Sequence, residues 1–222
     1  DVYKRQLERW VSGAVVRTYE QARLVDLAKA TRTLRVINAL SNEEHPCQAL
    51  ADCLTLQERW GTMTGRRIAF VGDGNNVATS FAQAATMLGA SVHVASPKGF
   101  ELPSSVDLEI ERIANDNAEL RRYHDPIEAV KNVDAVYTDV WTSMGHENEV
   151  ASRRQLFSPY QVNAGLMAQA KPDACFMHCL PAERGVEVTD EVCDADYSII
   201  FDEAENRMFA QNAIMVQLMA VS

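Results

Sequence analysis

Short apolar blocks alternate, along almost the whole chain, with longer stretches in which apolar positions recur every three or four residues. The blocks at 13–18, 34–40, 66–73, 91–97, 134–141, 174–181 and 197–204 are rich in Val, Ile and Ala. They are continuously apolar rather than alternating, which predicts strands covered on both faces. The stretches at 20–31, 46–60, 76–88, 105–120, 126–131 and 160–170 carry the helical period. Strand–helix alternation of this kind predicts an α/β fold with a doubly wound parallel sheet and right-handed crossovers. The last stretch, 205–222, is apolar around most of its circumference, which predicts a helix covered on more than one side. Gly61 and Gly65 mark a division. Residues 1–60 hold only two strands and read as the tail end of one domain, 61–203 as a second domain, and 204–222 as a helix returning to the first.

At 222 residues the chain is long enough to bury a sizeable core. Its 21 Lys and Arg stand against 31 Asp and Glu, a net charge of −10, which argues against nucleic acid as a partner but leaves small anions open. The five cysteines, an odd number without framework spacing, point to a reducing, cytoplasmic setting. No apolar run approaches the ~20 residues of a membrane span, and no signal peptide opens the chain. The first residues lack an initiator Met, so the natural chain is expected to start earlier.

Chemistry collects where the predicted strands end. His45 and Gln48 follow the second block, Asp73, Asn75 and Asn76 the third, and Asp139 with Ser143-Met144-Gly145 the fifth. His178 and Cys179 follow the sixth, and Asp202, Glu203, Asn206 and Arg207 the seventh. In an open parallel sheet these carboxyl ends share one edge, where ligands bind. "VGDGNNVA" (71–78) partly matches a dinucleotide fingerprint, but Val77 stands at the third glycine and the next strand ends in Ala95-Ser96-Pro97 without an acid. Gly74 then serves a tight turn and Asn75 a helix cap. Cys175 and Cys179 fall on one strand face and His178 on the other, so neither a metal site nor a Cys–His nucleophile pair is expected. Arg17, whose guanidinium keeps its charge, calls for an anion at its strand end.

"HPCQALAD" (45–52), "GDGNN" (72–76), "DVWTSMG" (139–145), "HCLPAERG" (178–185) and "DEAENR" (202–207) resemble, in order and spacing, the ornithine carbamoyltransferases. The resemblance covers about Val11 to Ala220, and the Ser-Met-Gly and His-Cys-Leu-Pro elements mark the ornithine rather than the aspartate branch. It implies a Rossmann-like ornithine-binding domain preceded by a remnant of a carbamoyl phosphate domain, and carbamoyl transfer from carbamoyl phosphate to the side-chain amine of L-ornithine. No cofactor and no metal are implied. By resemblance Arg17, His45 and Gln48 hold the carbamoyl group, with Arg207 beside it. Asn76, Asp139, Ser143 and Met144 hold the amino-acid end of ornithine. Cys179 and the Leu180 backbone meet the reacting amine, while His178 supports them. The family's Ser-x-Arg-Thr phosphate loop has no counterpart here, since "ATRT" (30–33) ends a helical stretch instead of opening one. The chain is therefore expected to be N-terminally truncated, from a parent that is a homotrimer. Two other classes stay open: a catalytically inactive amino-acid-binding remnant and a nicotinamide-dependent dehydrogenase domain.

Overall fold

The computed structural model describes residues 2–115, 117–142 and 147–220 and contains two parallel sheets. In the first, β1 (Gly13–Arg17) lies beside β2 (Arg35–Leu40); α1 (Val2–Trp10) precedes them and α2 (Gln21–Ala30) connects them. Helix α3 (Pro46–Trp60) leads to the second sheet. This sheet contains β3 (Arg67–Val71), β4 (Ser91–Ala95), β5 (Leu120–Tyr123), β6 (Ala135–Thr138) and β7 (Cys175–His178). The spatial order is β5-β4-β3-β6-β7 and every pairing is parallel. The connections carry α4 (Asn76–Met87), α5 (Ser104–Ile113), α6 (Pro126–Val130), α7 (Val150–Phe157), α8 (Ala164–Met167) and α9 (Asp190–Cys193). The closing helix, α10 (Ile200–Met219), packs along α3 and ends beside the first sheet, where the Leu218 carbonyl accepts from Arg35 Nε at 3.3 Å.

The second sheet is covered on both faces, as its unbroken apolar blocks predict. Ile68 and Phe70 of β3 enter one core with Leu56, Phe81, Tyr137 and Met177, while Ala69 and Val71 enter the other with Val136, Phe176 and Ile200. This is the two-residue alternation of a strand with apolar side chains on both faces. The rings of Phe70 and Phe81 pack on Tyr137 with centroids 5.0 and 5.1 Å away. Each fully buried aromatic contributes roughly 1.5–3 kcal/mol of transfer free energy.

Several elements depart from the pattern. Residues 197–204 are not a strand: Ser198 makes one isolated bridge to Phe176, and α10 begins at Ile200. The Tyr-Ser-Ile-Ile run suits a strand, but the buried positions Ile200, Glu203, Asn206 and Ala210 fall on one helical face. Asp202 in the first turn also suits the positive end of the helix dipole. The stretch 105–120 ends as a helix at Ile113, and "LRRY" forms the edge strand β5. Two arginines hide it from a hydrophobic pattern, and charge is a common feature of exposed edges. The stretch 160–170 holds only the short α8, and α7 and α1 are not marked by the pattern at all. The first sheet is less covered than its sequence predicts, with Val15 60% exposed. Phe201, Met208, Phe209 and Val216 of α10 are likewise exposed, although the sequence predicts cover on more than one side.

Candidate active site

Strands β3 and β6 are neighbours, but the chain leaves β3 toward β4 and leaves β6 toward β7. Their carboxyl ends therefore flank the topological switch point, where an open sheet leaves a crevice. Gly74 sits just past β3 with its amide donating to the Phe100 carbonyl at 2.8 Å. A Cβ there would lie 2.3 Å from the Leu102 nitrogen, so close backbone approach explains the glycine without any dinucleotide. Asn75 caps α4, its Oδ1 accepting from the Val77 and Ala78 amides at 3.0 Å. Its Nδ2 donates to Asp139 Oδ2 at 2.7 Å, so one side chain starts the helix and orients the carboxylate across the switch point. Asn76 Nδ2 donates to the Ser41 carbonyl at 2.6 Å, tying α4 to the loop before α3.

Asp139 is buried just past β6. Its Oδ1 accepts from the Val140 amide at 2.8 Å and from the Cys179 thiol at 3.0 Å. Burial, and then the Asp139 charge, push the Cys179 thiol well above the ordinary cysteine range. Cys179 is a neutral thiol with sulfur lone pairs available as a weak acceptor. His178 is fully buried; its Nδ1 accepts from the Leu180 amide at 2.9 Å, which places its proton on Nε2, facing Glu187 at 3.2 Å. The ligand-type atoms of Asp139, His178 and Cys179 lie within 4.8 Å of one another. Each is already engaged in the hydrogen bonds just described, so the trio makes a positioning cluster.

His45 stands at the N-cap of α3, with its amide bound by Ser80 Oγ at 2.8 Å and its ring buried. Burial, with the Arg207 charge second, lowers its pKa to about 4, so the ring is neutral at pH 7. Its Nδ1 has no partner among the described residues. Arg17, the last residue of β1, is exposed rather than buried as the apolar block suggests. It nevertheless reaches the same cavity of about 580 Å³ as His45, Asn76, Asp139, Cys179, Leu180 and Arg207. Gln48 does not line that cavity. It is fully buried and donates from Nε2 to Asp52 Oδ1 at 2.7 Å, leaving its Oε1 without a partner. Ser143 and Met144 lie outside the described residues.

The sequence singles out neither Arg153 nor Phe100, both of which line the cavity. Arg153 is buried in α7, pairing with Asp73 at 2.6 Å and Glu149 at 2.9 Å, its guanidinium 4.7 Å from the Phe100 ring centre. The weak apolar period of α7 hides it, and of the two rings it meets only Phe157, four positions on, is near it in the sequence. A second space of about 900 Å³ runs along α10 past Phe201, Met208 and Met215 and shares Cys179, Leu180 and Arg207 with the first. The "ATRT" stretch ends α2, and the Arg32 and Thr33 amides are held by the Glu8 carboxylate at 2.6 and 2.7 Å.

Two family models match. The carbamoyl-P binding domain of aspartate/ornithine carbamoyltransferases matches residues 3–58, and the Asp/Orn binding domain of the same enzymes matches 64–218. The chain is 49% identical over 216 residues to the ornithine carbamoyltransferase of Thermococcus kodakarensis and to the anabolic one of Pyrococcus furiosus. Those alignments cover 97% of this chain and 68% of each relative. The solved structure of the Pyrococcus furiosus ornithine carbamoyltransferase matches with a TM-score of 0.95 at 48% identity, covering 100% of this chain and 71% of that one.

Proposed function

The chain belongs to the aspartate/ornithine carbamoyltransferase family, and we propose that its cavity serves transfer of the carbamoyl group of carbamoyl phosphate to the side-chain amine of L-ornithine, giving L-citrulline and phosphate. The observation that carries this reading is the meeting in one cavity of Arg17 and His45 with Asp139, Cys179 and Arg207 from the second half of the chain. We read 1–60 as the end of a carbamoyl phosphate domain, 61–203 as the ornithine domain and 204–222 as the helix joining them.

In this reading Asp139 takes the α-ammonium of ornithine, with Asn76 and the Ser143-Met144 pair at the same end of the substrate. The side-chain amine arrives as a neutral nitrogen, a state that the nearby positive charges of Arg17 and Arg207 favour. Its lone pair forms the bond to the carbamoyl carbon beside Cys179, whose sulfur accepts from the amine without forming a covalent bond. Negative charge then grows on the carbonyl oxygen, where Arg17 and the neutral His45 act as donors worth ~3 kcal/mol each when well placed. The nitrogen passes its extra proton to the departing phosphate oxygen as the bond to phosphate breaks, leaving citrulline and phosphate.

The same reading places the protein in arginine synthesis, in a reducing cytoplasmic compartment that suits its five free cysteines, and in a homotrimer. The test supplies carbamoyl phosphate with L-ornithine, Nα-acetylornithine or L-aspartate in turn. Citrulline from ornithine is the expected product. Carbamoylation of aspartate or acetylornithine in its place, or of none of the three, refutes the assignment.

A further inference from the structure

Beneath the cavity lies a buried polar cluster whose members come from four elements. Asp52 of α3 and Glu203 of α10 are both fully buried and lie against the same donor, Gln48 Nε2, at 2.7 and 3.4 Å. Two carboxylate charges buried this close together would repel strongly in a low dielectric. One proton must be shared. Its location follows from the remaining partners. Asp52 receives Gln48 Nε2 at 2.7 Å on Oδ1 and the Tyr137 hydroxyl at 2.9 Å on Oδ2. Glu203 receives the His178 amide at 3.1 Å and a longer contact from Gln48 Nε2 at 3.4 Å, both longer than the two contacts to Asp52. The better-supplied Asp52 is the carboxylate and Glu203 the acid. Arg207 on α10 faces the pair, as do Tyr137 on β6, Cys179 beyond β7 and Cys53 on α3. Among the described residues no Lys or Arg forms an ion pair with either carboxyl. Burial raises both groups, Asp52 to about 6 and Glu203 well above the ordinary carboxylate range.

We propose that Asp52 and Glu203 are positioning residues of the site, sharing one proton that Glu203 donates. Through the Gln48 amide they fix the Gln48 side chain beneath the cavity, leaving its carbonyl as the acceptor for the carbamoyl NH2, and through the His178 amide they hold the chain that carries Cys179. Both Gln48 Nε2 contacts are to carboxyl oxygens, which settles which end of that amide is nitrogen. Its Oε1 is then the buried acceptor left without a partner. The destination of that acceptor rests on the carbamoyl-transfer reading; the shared proton does not.

Infrared spectroscopy of the chain at pH 7.5 reads the proton directly. A protonated-carboxyl stretch is expected that shifts on 13C-glutamate labelling, stays put on 13C-aspartate labelling, and is lost in E203Q. Absence of the stretch, or a shift with the aspartate label, overturns the shared-proton assignment without recourse to any variant. Positioning is read in D52N, where the Gln48 side-chain amide NMR signal should move and the KM for carbamoyl phosphate rise about tenfold, the loss expected for one charged hydrogen bond. The KM for ornithine should stay within about twofold. An unmoved Gln48 signal, or two KM values that move together, overturns the positioning role. A parent protein that makes no citrulline refutes the carbamoyl-transfer reading instead, and leaves the infrared and NMR outcomes standing.

Discussion

Replacing Asp139 with Asn removes one negative charge and almost no volume. In the structure both carboxylate oxygens already accept: Oδ1 from the Val140 amide and the Cys179 thiol, Oδ2 from Asn75 Nδ2. An asparagine must present its NH2 toward the donors on one side, so at least one hydrogen bond is lost whichever way the amide lies. That loss costs about 1–3 kcal/mol of folding stability. The effect on the substrate is separate. A charged hydrogen bond to the ornithine α-ammonium contributes roughly 1.5–3 kcal/mol, and at 1.4 kcal/mol per decade its loss weakens ornithine binding about 10- to 150-fold. Calorimetric titration measures this at a temperature where the variant remains folded. The informative second ligand is 2-aminopentanoate, the carbon chain of ornithine without its terminal amine. If Asp139 serves the α-ammonium, binding of both ligands falls by the same factor while carbamoyl phosphate is unaffected. Loss confined to ornithine would place Asp139 at the reacting amine, and equal loss for carbamoyl phosphate would remove it from the amino-acid end altogether.

Three further outcomes are expected. His45, with a pKa of about 4 in the folded chain against about 6.5 unfolded, leaves the unfolded state binding more protons between those values, so stability falls as pH drops through that window. Urea titration should show the parent losing about 2 kcal/mol more than H45Q between pH 7 and pH 5, and equal losses would contradict a buried neutral ring. Gly74→Ala drives a Cβ to 2.3 Å from the Leu102 nitrogen, so a destabilisation of about 3 kcal/mol or more is expected in the same assay, with weaker ornithine binding as Asn75 shifts. A variant as stable as the parent would refute the close-approach argument. The raised pKa of Cys179 predicts alkylation by iodoacetamide at pH 8 at less than about a tenth of the rate of an unperturbed thiol, read by mass spectrometry of its peptide. Rapid alkylation would mean a thiolate and a different role for the sulfur.

Much of this molecule is determined locally. Apolar blocks bounded by polar turns specify β3, β4, β6 and β7, because a strand covered on both faces has few alternatives to continuous Val, Ile and Ala. Asn75 is legible as a cap because its side chain bonds amides two and three residues on. The placing of chemistry at strand ends is legible for a similar reason: in a parallel sheet those ends all lie on one edge. Locality also explains the errors. Tyr197 to Ile200 have the composition of a strand, and only packing against α3 and β7 decides that Ile200 begins a helix.

Tertiary structure decided the rest. Arg153 is an ordinary helix arginine until folding sets it between Asp73 and the Phe100 ring, 80 and 53 positions away in the chain. Gln48 reads as a cavity residue from its place one turn after His45, yet the fold buries it beneath the cavity against Asp52 and Glu203. By sequence Asp52 lies in the helical stretch 46–60 and Glu203 among the polar residues at the end of the last apolar block, with nothing to bring the two together. Their shared proton exists because α3 and α10 meet with water excluded between them. A sequence pattern carries the short-range preferences of backbone and burial, whereas the protonation state of a carboxyl depends on whatever long-range packing brings within a hydrogen bond of it.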